Sequence, residues 1–399
     1  MSDHAHDLPA AEKFDAAKLG GLPNLLLGAG GVGLALTAIG AFILGKEQFA
    51  YTYLFAFSFF ALVILGAGFW NCLHHATDSE WSVLIRRQIE NIASLFPWMA
   101  LFFIPIFFCA SILLKWWNMG EGIDPLLDAK RPFLSQWFVI VRLVAYFVIV
   151  GWVVTSLRRH SVKQDDDAAG KHSFAMRKFG IGGIAAVALT ITFYGIDWLM
   201  GLDYHWFSTM WGVYLFAGAA GSSMSLIVLT ITVLKNLGYL KPVNDQHFHT
   251  MGKFMLAFTI FWAYIGFDQY MLIWYANIPE ENIYFIIRNQ GNWCYLNWIL
   301  VIGRFFIVLP ILLQQSVKKR SLLWMIALWM ISMELLDIFV VVIPVFHKTG
   351  FTLVDVIYAI CPLVGIGGIL GWLFLKKLVS TNLFPTRDPR LIGSLYLQN

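Results

Sequence analysis

Long apolar stretches alternate along this chain with short polar segments. A helix needs about 20 mostly apolar residues to cross a bilayer, because each residue advances it by about 1.5 Å. Ten stretches are long enough, and they predict an all-α polytopic membrane protein whose ten transmembrane helices contact the lipid bilayer. These stretches are residues 24–44, 49–73, 91–114, 133–157, 178–200, 208–234, 254–276, 293–315, 321–343 and 351–375.

Composition supports the same class of protein. Of the 399 residues, 59% are hydrophobic and only 13% are charged, which is far from the balance of a soluble globular protein. The four cysteines form neither a CxxC pair nor a CxxCH haem-attachment motif, so we interpret them as small apolar packing residues. The first apolar stretch has the length of a full span, and we predict a retained helix rather than a cleaved signal peptide.

Lysine and arginine predict the orientation of the helices. Of the 28 basic residues, 19 lie on the side of the two termini and six on the other side. The loop between the second and third stretches contributes Arg86 and Arg87 to the larger group. Because basic residues accumulate in cytoplasmic loops, we predict a bacterial cytoplasmic (inner) membrane protein with both termini in the cytoplasm. This placement explains the basic clusters without nucleic-acid binding, and we interpret Asp165–Asp167 with Ala168 and Ala169 as a solvated loop tip.

A weak internal repeat relates spans two to five to spans six to nine. Predicted helices four and eight each carry a tryptophan followed by an arginine, Arg142 or Arg304. Helix five ends with Asp197, and helix nine contains Asp337. Units offset by four helices have the same orientation, so this pattern predicts a parallel repeat with one arginine and one aspartate in matching places.

Charged residues inside the spans are the strongest functional signal. A carboxylate in the hydrocarbon layer costs about 2.5–3.5 kcal/mol on insertion scales, and Asp268 is expected about 12 Å from the outer end of helix seven. Arg304 in helix eight and the pair Glu334 and Asp337 in helix nine share the outer half to the middle of the membrane. Three acids then face one arginine, so at least one carboxylate is expected to hold a proton. We interpret this set as a proton relay.

Other charged residues could extend the relay or form its inner mouth, by which we mean the cytoplasmic entrance of the proton pathway. Some of these residues also have a simpler structural explanation. Arg142 and Asp197 suit a relay or an ion pair that only lets the helices pack, and Asp355 begins helix ten. The inner half of the membrane would need water and hydroxyls such as Tyr264 or Ser332 to connect the acids to the cytoplasm. The candidates for an inner mouth are His74, His75, His247, His249 and Lys253.

Histidine placement argues against redox cofactors in this chain. Haem in a membrane requires histidine pairs within spans, and no histidine here lies mid-span, so we expect no haem, no copper and no other metal. The outer loop offers Asp203, His205 and Trp206, which could contact a quinone head group or a partner protein, or form an ordinary interfacial aromatic belt. No Walker A, dinucleotide-binding or HExxH motif predicts catalytic residues of a soluble enzyme.

Two long motifs resemble a known family. Residues 261–264 read FWAY and residues 269–281 read QYMLIWYANIPEE, while residues 204–214 read YHWFSTMWGVY. They resemble the ActF-type membrane subunits of bacterial alternative complex III, within the NrfD/polysulfide-reductase family. The likeness is strong over about residues 175–320, and the ten-span layout extends it over the rest of the chain.

The resemblance implies both an architecture and a role. Residues 49–200 and 208–343 would form two four-helix bundles, flanked by helices 24–44 and 351–375, with cytoplasmic tails at 1–23 and 376–399. The chain would be a cofactor-free subunit of a quinol:cytochrome c (or high-potential iron–sulfur protein) oxidoreductase in the respiratory electron-transport chain. Its partners would be a sister NrfD-like membrane subunit, a periplasmic iron–sulfur subunit and c-type cytochrome subunits. Menaquinone or another quinone would bind in the complex, and proton translocation would pass through subunits of this kind.

Two other classes of function fit the residues. Buried acids, interrupted helices and a repeat suit an ion-coupled secondary transporter, although such transporters more often use inverted repeats. A purely structural membrane anchor for peripheral redox subunits would use the same charges only to pair with one another.

Overall fold

A computed structural model describes residues 9–167 and 170–398 of the chain. Within them the architecture is all-α, and ten helices are long and apolar enough to cross a membrane, which confirms the predicted fold class. We number these helices in chain order: α1 Leu22–Ile43, α2 Lys46–Ala76, α3 Val83–Phe108, α4 Gln136–Asp166, α5 Gly170–Asp203, α6 Trp211–Asn236, α7 Asp245–Ala276, α8 Trp293–Leu313, α9 Arg320–Phe346 and α10 Leu353–Ser380.

Helix boundaries differ most from the prediction at α3. This helix begins at Val83, well before the predicted stretch, and its first turns carry Arg86 and Arg87, which are buried. The assignment of these arginines to a loop was therefore wrong. Hydropathy missed this part of the helix because its charged side chains form ion pairs inside the fold instead of contacting water.

Helix α2 lies at the centre of the molecule and is almost fully buried. It contacts α5, α6, α9 and α10, while α1 packs along α10. The α1–α10 contact depends on glycine: a Cβ on Gly33 would lie 2.5 Å from the backbone nitrogen of Gly365. Such close backbone approach is the usual way in which membrane helices associate. Because α2 packs against helices of both units, the grouping into two bundles stays a prediction.

The two termini lie on the same side of the helical array. Leu383 N–H donates a hydrogen bond to the carbonyl of Glu12 at 2.8 Å, and Lys13 pairs with Asn382 in an isolated β-bridge. We call this end of the molecule the terminal side and the other end the opposite side. An even number of spans produces this arrangement, and its assignment to the cytoplasm stays a prediction. Residues 1–8 and 399, at the ends of the predicted tails, lie outside the described residues.

Candidate functional site

A buried ionic cluster joins α8 to α9. Arg304 lies in a π-helical turn, Ile302–Phe306, within α8. Its guanidinium Nη1 is 2.6 Å from Asp337 Oδ2, and Nη2 pairs with Glu334. All three side chains are buried. The i, i+3 spacing of the two acids places them on one face of α9, so a single guanidinium reaches both. We call these three residues the acidic cluster.

A hydrogen bond from a tryptophan of α9 stabilises the π turn of α8. A π turn leaves a backbone carbonyl without its usual helical partner. In α8 the carbonyl of Gly303 accepts a hydrogen bond of 2.8 Å from Trp329 Nε1 on α9. The side chain of Trp329 thus fixes the irregular turn that carries Arg304.

Aromatic side chains complete the surroundings of Asp337. Tyr214 on α6 donates its hydroxyl hydrogen bond to Asp337 at 2.5 Å, and Trp262 Nε1 on α7 donates at 2.9 Å. The Trp262 ring also lies 4.2 Å from the Arg304 guanidinium carbon, in a cation–π contact. Sequence reasoning did not assign roles to Tyr214 and Trp262, although both lie in the two motifs that carry the family resemblance.

Glu334 occupies space that a glycine leaves open. A Cβ on Gly218 of α6 would lie 2.9 Å from both carboxylate oxygens of Glu334 and 3.2 Å from Arg304 Nη2. Arg304 is the only hydrogen-bond donor to Glu334 among the described residues. The acidic cluster therefore contains one more acid than base: its net charge is −1 with both carboxylates ionised, and zero with one proton bound.

The first repeat unit contains a simpler site, which we call the balanced pair. Arg142 on α4 binds Asp197 on α5 through Nη2–Oδ1 at 2.7 Å and Nε–Oδ2 at 3.0 Å, and Tyr146 donates to the same carboxylate. The ring of Phe133 lies 4.0 Å from the Arg142 guanidinium carbon. Three residues before Asp197, where α9 has its second acid, stands Tyr194, whose hydroxyl meets Ser58 Oγ at 2.6 Å.

Asp268 lies apart from the acidic cluster. It is half-buried on α7, and no hydrogen bond or ion pair reaches it from residues 9–167 or 170–398. Consecutive helical residues point about 100° apart, and its neighbour Gln269 faces the protein interior, where it accepts a hydrogen bond from Ser208 at 2.8 Å. Asp268 therefore lies off the interior-facing side of α7, next to the exposed side chains of Tyr264 and Phe267. The structure brings two of the three predicted acids to Arg304, and a relay role for Asp268 stays a prediction.

Buried hydroxyl groups lie on the terminal side of the acidic cluster. Ser222 follows Gly218 by one turn of α6 and donates to its carbonyl at 2.8 Å, and Ser225 and Thr259 approach Met330 from two helices. All three hydroxyl-bearing residues are buried. A serine one turn from a glycine within an apolar helix is a signal that sequence reading could have used.

The hydroxyls proposed from the sequence lie elsewhere. Tyr264 and Ser332 are exposed on the outside of α7 and α9, so their assignment to an internal path was wrong. Beyond Thr259, the buried face of α7 towards the terminal side continues with Met255 and Met251. A proton that crosses this apolar stretch would require water molecules.

The five residues predicted for the inner mouth fall into two groups. His74, His75 and His247 are buried, whereas His249 is half-buried and Lys253 is exposed. Two of the buried rings have hydrogen-bonding neighbours: the His74 ring contacts Ser82 Oγ at 2.6 Å, and the His247 ring contacts Ser394 Oγ at 3.3 Å. Nε2 of His75 has no hydrogen-bond partner in the described residues. Only the group formed by His249 and Lys253 is open to the surface. Asn71, one turn before His75, is fully buried, and neither of its side-chain polar atoms has a hydrogen-bond partner in the described residues.

The C-terminal segment is anchored by a separate ionic network on the terminal side. Asp388 pairs with Arg86 and, at 3.0 Å, with Arg390. Burial alone would raise the pKa of Asp388, but the positive charges of Arg86 and Arg390 outweigh it and hold that pKa well below its ordinary value of 3.8. Arg87 binds Asp165 at 2.9 Å, so Asp165 belongs to this network and is not part of a solvated loop tip. Ala168 and Ala169, the other part of that prediction, lie outside the described residues.

The remaining predicted residues lie on the opposite side. Asp355 forms a capping box with Thr352 at the start of α10 and accepts a hydrogen bond from Gln48 at 2.7 Å, so it has a clear structural role. His205 is exposed and its Nε2 lies 2.7 Å from Asp124. Asp203 ends the last turn of α5 and is half-buried.

Trp206 differs from the other loop residues because it is buried beside a cavity. It stacks on Tyr284 with ring centroids 4.1 Å apart, and its Nε1 finds no acceptor in the described residues. The cavity measures about 340 Å³ and is lined mainly by apolar and aromatic side chains, among them Phe133, Met200 and Phe207. The apolar and aromatic lining of the cavity suits a flat apolar ring.

No protein-family model matches this chain, and no curated protein matches it. Among the described residues, no group of three or more His, Cys, Asp or Glu side chains is arranged to hold a metal ion. The buried charges of the acidic cluster and the two motifs at residues 204–214 and 261–281 are therefore the features that indicate a function.

Proposed function

We propose that this chain is a membrane subunit of a quinol:cytochrome c (or high-potential iron–sulfur protein) oxidoreductase of the alternative complex III type. It contributes a proton pathway rather than redox cofactors. The observation that supports the proton pathway is the acidic cluster, in which Arg304 faces both Glu334 and Asp337 inside the membrane domain. The assignment to a quinol-oxidising complex rests on the resemblance of residues 204–214 and 261–281.

Charge balance makes the acidic cluster suited to bind one proton. An uncompensated charge inside a membrane protein costs several kcal/mol. The state with one proton on the two carboxylates is neutral and therefore favoured at rest. Arg304 contacts both acids, so a proton can move onto or off either carboxylate with little movement of heavy atoms. The balanced pair lacks the second acid and has no site for an additional proton.

Polar and aromatic side chains extend from the acidic cluster towards both sides. The Tyr214 hydroxyl contacts Asp337, and Tyr214 stacks on Trp211 near the opposite side. Ser222, Ser225 and Thr259 lie towards the terminal side, which faces the cytoplasm in this proposal. Water between these hydroxyls and the terminal side would complete the path. A quinone head group, if bound by this chain, would fit the aromatic cavity beside Trp206.

The test is a variant that neutralises the extra acid without changing its shape. Glu334→Gln is made in the native organism, and the tagged complex is purified from membranes in mild detergent. We expect c-type haem, iron–sulfur subunits and quinol oxidation to be retained, and the number of protons moved per electron in reconstituted vesicles to fall. Tyr194→Phe, at the corresponding position of α5, is the matched control and should leave this ratio unchanged.

The possible outcomes distinguish a proton-conducting subunit of a redox complex, a structural anchor and a transporter. An unchanged proton-to-electron ratio in Glu334→Gln would remove the proton pathway from this chain and leave a structural anchor. A wild-type chain that purifies alone and without colour, under conditions that keep other respiratory complexes intact, would contradict the redox-complex proposal. Transport assays would then be the next step.

A further inference from the structure

Asp268 is an intramembrane acid that the chain leaves without a partner. Its position is about 12 Å along α7 from Ala276, and no described residue donates a hydrogen bond to it or forms an ion pair with it. Acids at such depths normally face the inside of a bundle and are paired. The acidic cluster and the balanced pair follow that rule, and Asp268 does not.

The helix face around Asp268 is unusually exposed and aromatic. Tyr264, Phe267 and Tyr275 are 64%, 63% and 84% exposed, and Met271 lies on the same side. These residues are spaced three or four positions from Asp268 or from one another, so they form one stripe along α7. Aromatic residues are typical of protein interfaces when a stripe of this kind surrounds a polar centre.

Within the described residues, the interiors of the predicted spans contain no basic residue that is free to pair with Asp268. Arg142 and Arg304, the two arginines in the interior of the predicted spans, are both occupied by buried acids. A second copy would therefore bring no cation to Asp268. Charge complementarity instead requires a different chain.

We infer that the α7 stripe centred on Asp268 binds a transmembrane helix of a different protein, and that this helix places a lysine or arginine opposite Asp268. The apolar and aromatic side chains supply the packing area, and the ion pair fixes the register of the two helices. Such a pair in a lipid environment selects its partner because an unmatched helix leaves Asp268 unpaired. This inference does not depend on quinol chemistry or on proton transfer.

Photo-crosslinking in native membranes tests the interface directly. The photoreactive amino acid p-benzoylphenylalanine replaces Phe267 in the full chain. Val144 is the matched control position, because it is also exposed and lies as far from the opposite-side end of α4 as Asp268 does from the opposite-side end of α7. We expect irradiation to join Phe267's position, but not that of Val144, to one other membrane protein. The crosslinked peptide should lie in a spanning helix that contains a lysine or arginine.

Charge substitution then tests the ion pair. Asp268→Lys should abolish the adduct, and exchanging the partner's basic residue for glutamate should restore it. If Asp268→Lys does not accumulate in the membrane, the isosteric Asp268→Asn should still lower the adduct yield several-fold. Adducts with lipid alone, with a second copy of this chain, or equally from both positions would overturn the inference. An adduct that persists unchanged in Asp268→Asn would also overturn it.

Discussion

The balanced pair and the acidic cluster share the same central ion pair but differ in the number of acids around the arginine. In each, an arginine on one helix binds an aspartate on the next, and a tyrosine donates to that aspartate. Three residues before the aspartate, the balanced pair has Tyr194 and the acidic cluster has Glu334. With a tyrosine in that place, one arginine faces one aspartate and the net charge is zero. With a glutamate, one arginine faces two acids, and the site is neutral only when one of them binds a proton. The second acid is thus the feature that distinguishes a candidate proton site from a structural ion pair.

The two sites also share an irregular helix turn, but use it differently. In α5 the π turn Gly195–Leu199 carries the acid, and its Gly195 carbonyl accepts a hydrogen bond from Trp211 at 3.1 Å. In α8 the π turn carries the arginine, and Trp329 satisfies the carbonyl of Gly303. In both cases a π turn presents one of the charges, and a tryptophan from another helix donates a hydrogen bond to a glycine carbonyl of that turn.

Removal of each arginine should give the largest difference between the sites. Arg304→Leu leaves two buried carboxylates without their cation, and loss of one partner of a buried pair costs about 3–5 kcal/mol. Arg142→Leu leaves one carboxylate, which a single proton neutralises and which Tyr146 still contacts. We expect Arg304→Leu to lower the thermal stability of the detergent-purified chain more than Arg142→Leu does. Equal losses would contradict the difference in charge balance.

Removal of the tyrosine hydroxyls should distinguish a structural role from a proton-transfer role. Tyr146→Phe and Tyr214→Phe each delete one hydrogen bond to a carboxylate, which is worth about 1.5–3 kcal/mol. We expect similar stability losses for the two variants, measured by thermal unfolding. Only Tyr214→Phe should also reduce the number of protons moved per electron, because Tyr146 belongs to the balanced pair. A reduction in both variants would mean that the two sites act together.

Adding a methyl group beside Glu334 should disturb the acidic cluster less than removal of its arginine, and should leave the balanced pair unchanged. Gly218→Ala would place a methyl group 2.9 Å from the Glu334 oxygens, and overpacking of this kind costs about 1–3 kcal/mol. The matched control is Gly182→Ala on α5, where an added Cβ meets nothing within 4 Å. We expect the unfolding temperature to fall for Gly218→Ala alone. A normal unfolding temperature would show that Glu334 has a second rotamer available.

Asp388, which anchors the C-terminal segment, is a buried acid that stays ionised because two arginines surround it, and it can be compared with the acids of the other two sites. Because the pKa of Asp388 is depressed, its contribution to folding is complete above its ordinary pKa of 3.8 and is lost as the pH falls through its lower folded-state value. Hydrogen exchange of residues 383–396, corrected for the intrinsic effect of pH, should accelerate only below about pH 4. Asp388→Asn should show the faster exchange already at neutral pH. Exchange in the wild-type chain that does not respond to acid would contradict this account.

Part of the acidic cluster could be predicted from the sequence. The depth of Arg304 and the i, i+3 spacing of Glu334 and Asp337 place the three at a common level, and the structure joins them. Asp268 has nearly the same depth but a different helical angle. Its angle relative to the other helices depends on how α7 packs, so depth alone could not separate it from the acids that contact Arg304.

The sequence by itself determined the number and the approximate limits of the spanning helices, since burial in lipid requires about 20 apolar residues whatever the neighbours are. It also determined that charges lie inside those helices and that the two units resemble each other. Only the tertiary structure decided which charges meet. It also showed that Arg86 and His247 contact the C-terminal segment, and that Tyr264 and Ser332 face outwards. Hydropathy is a property of single segments, whereas pairing depends on helix rotation, on glycine contacts such as that of Gly218, and on residues far apart in the chain.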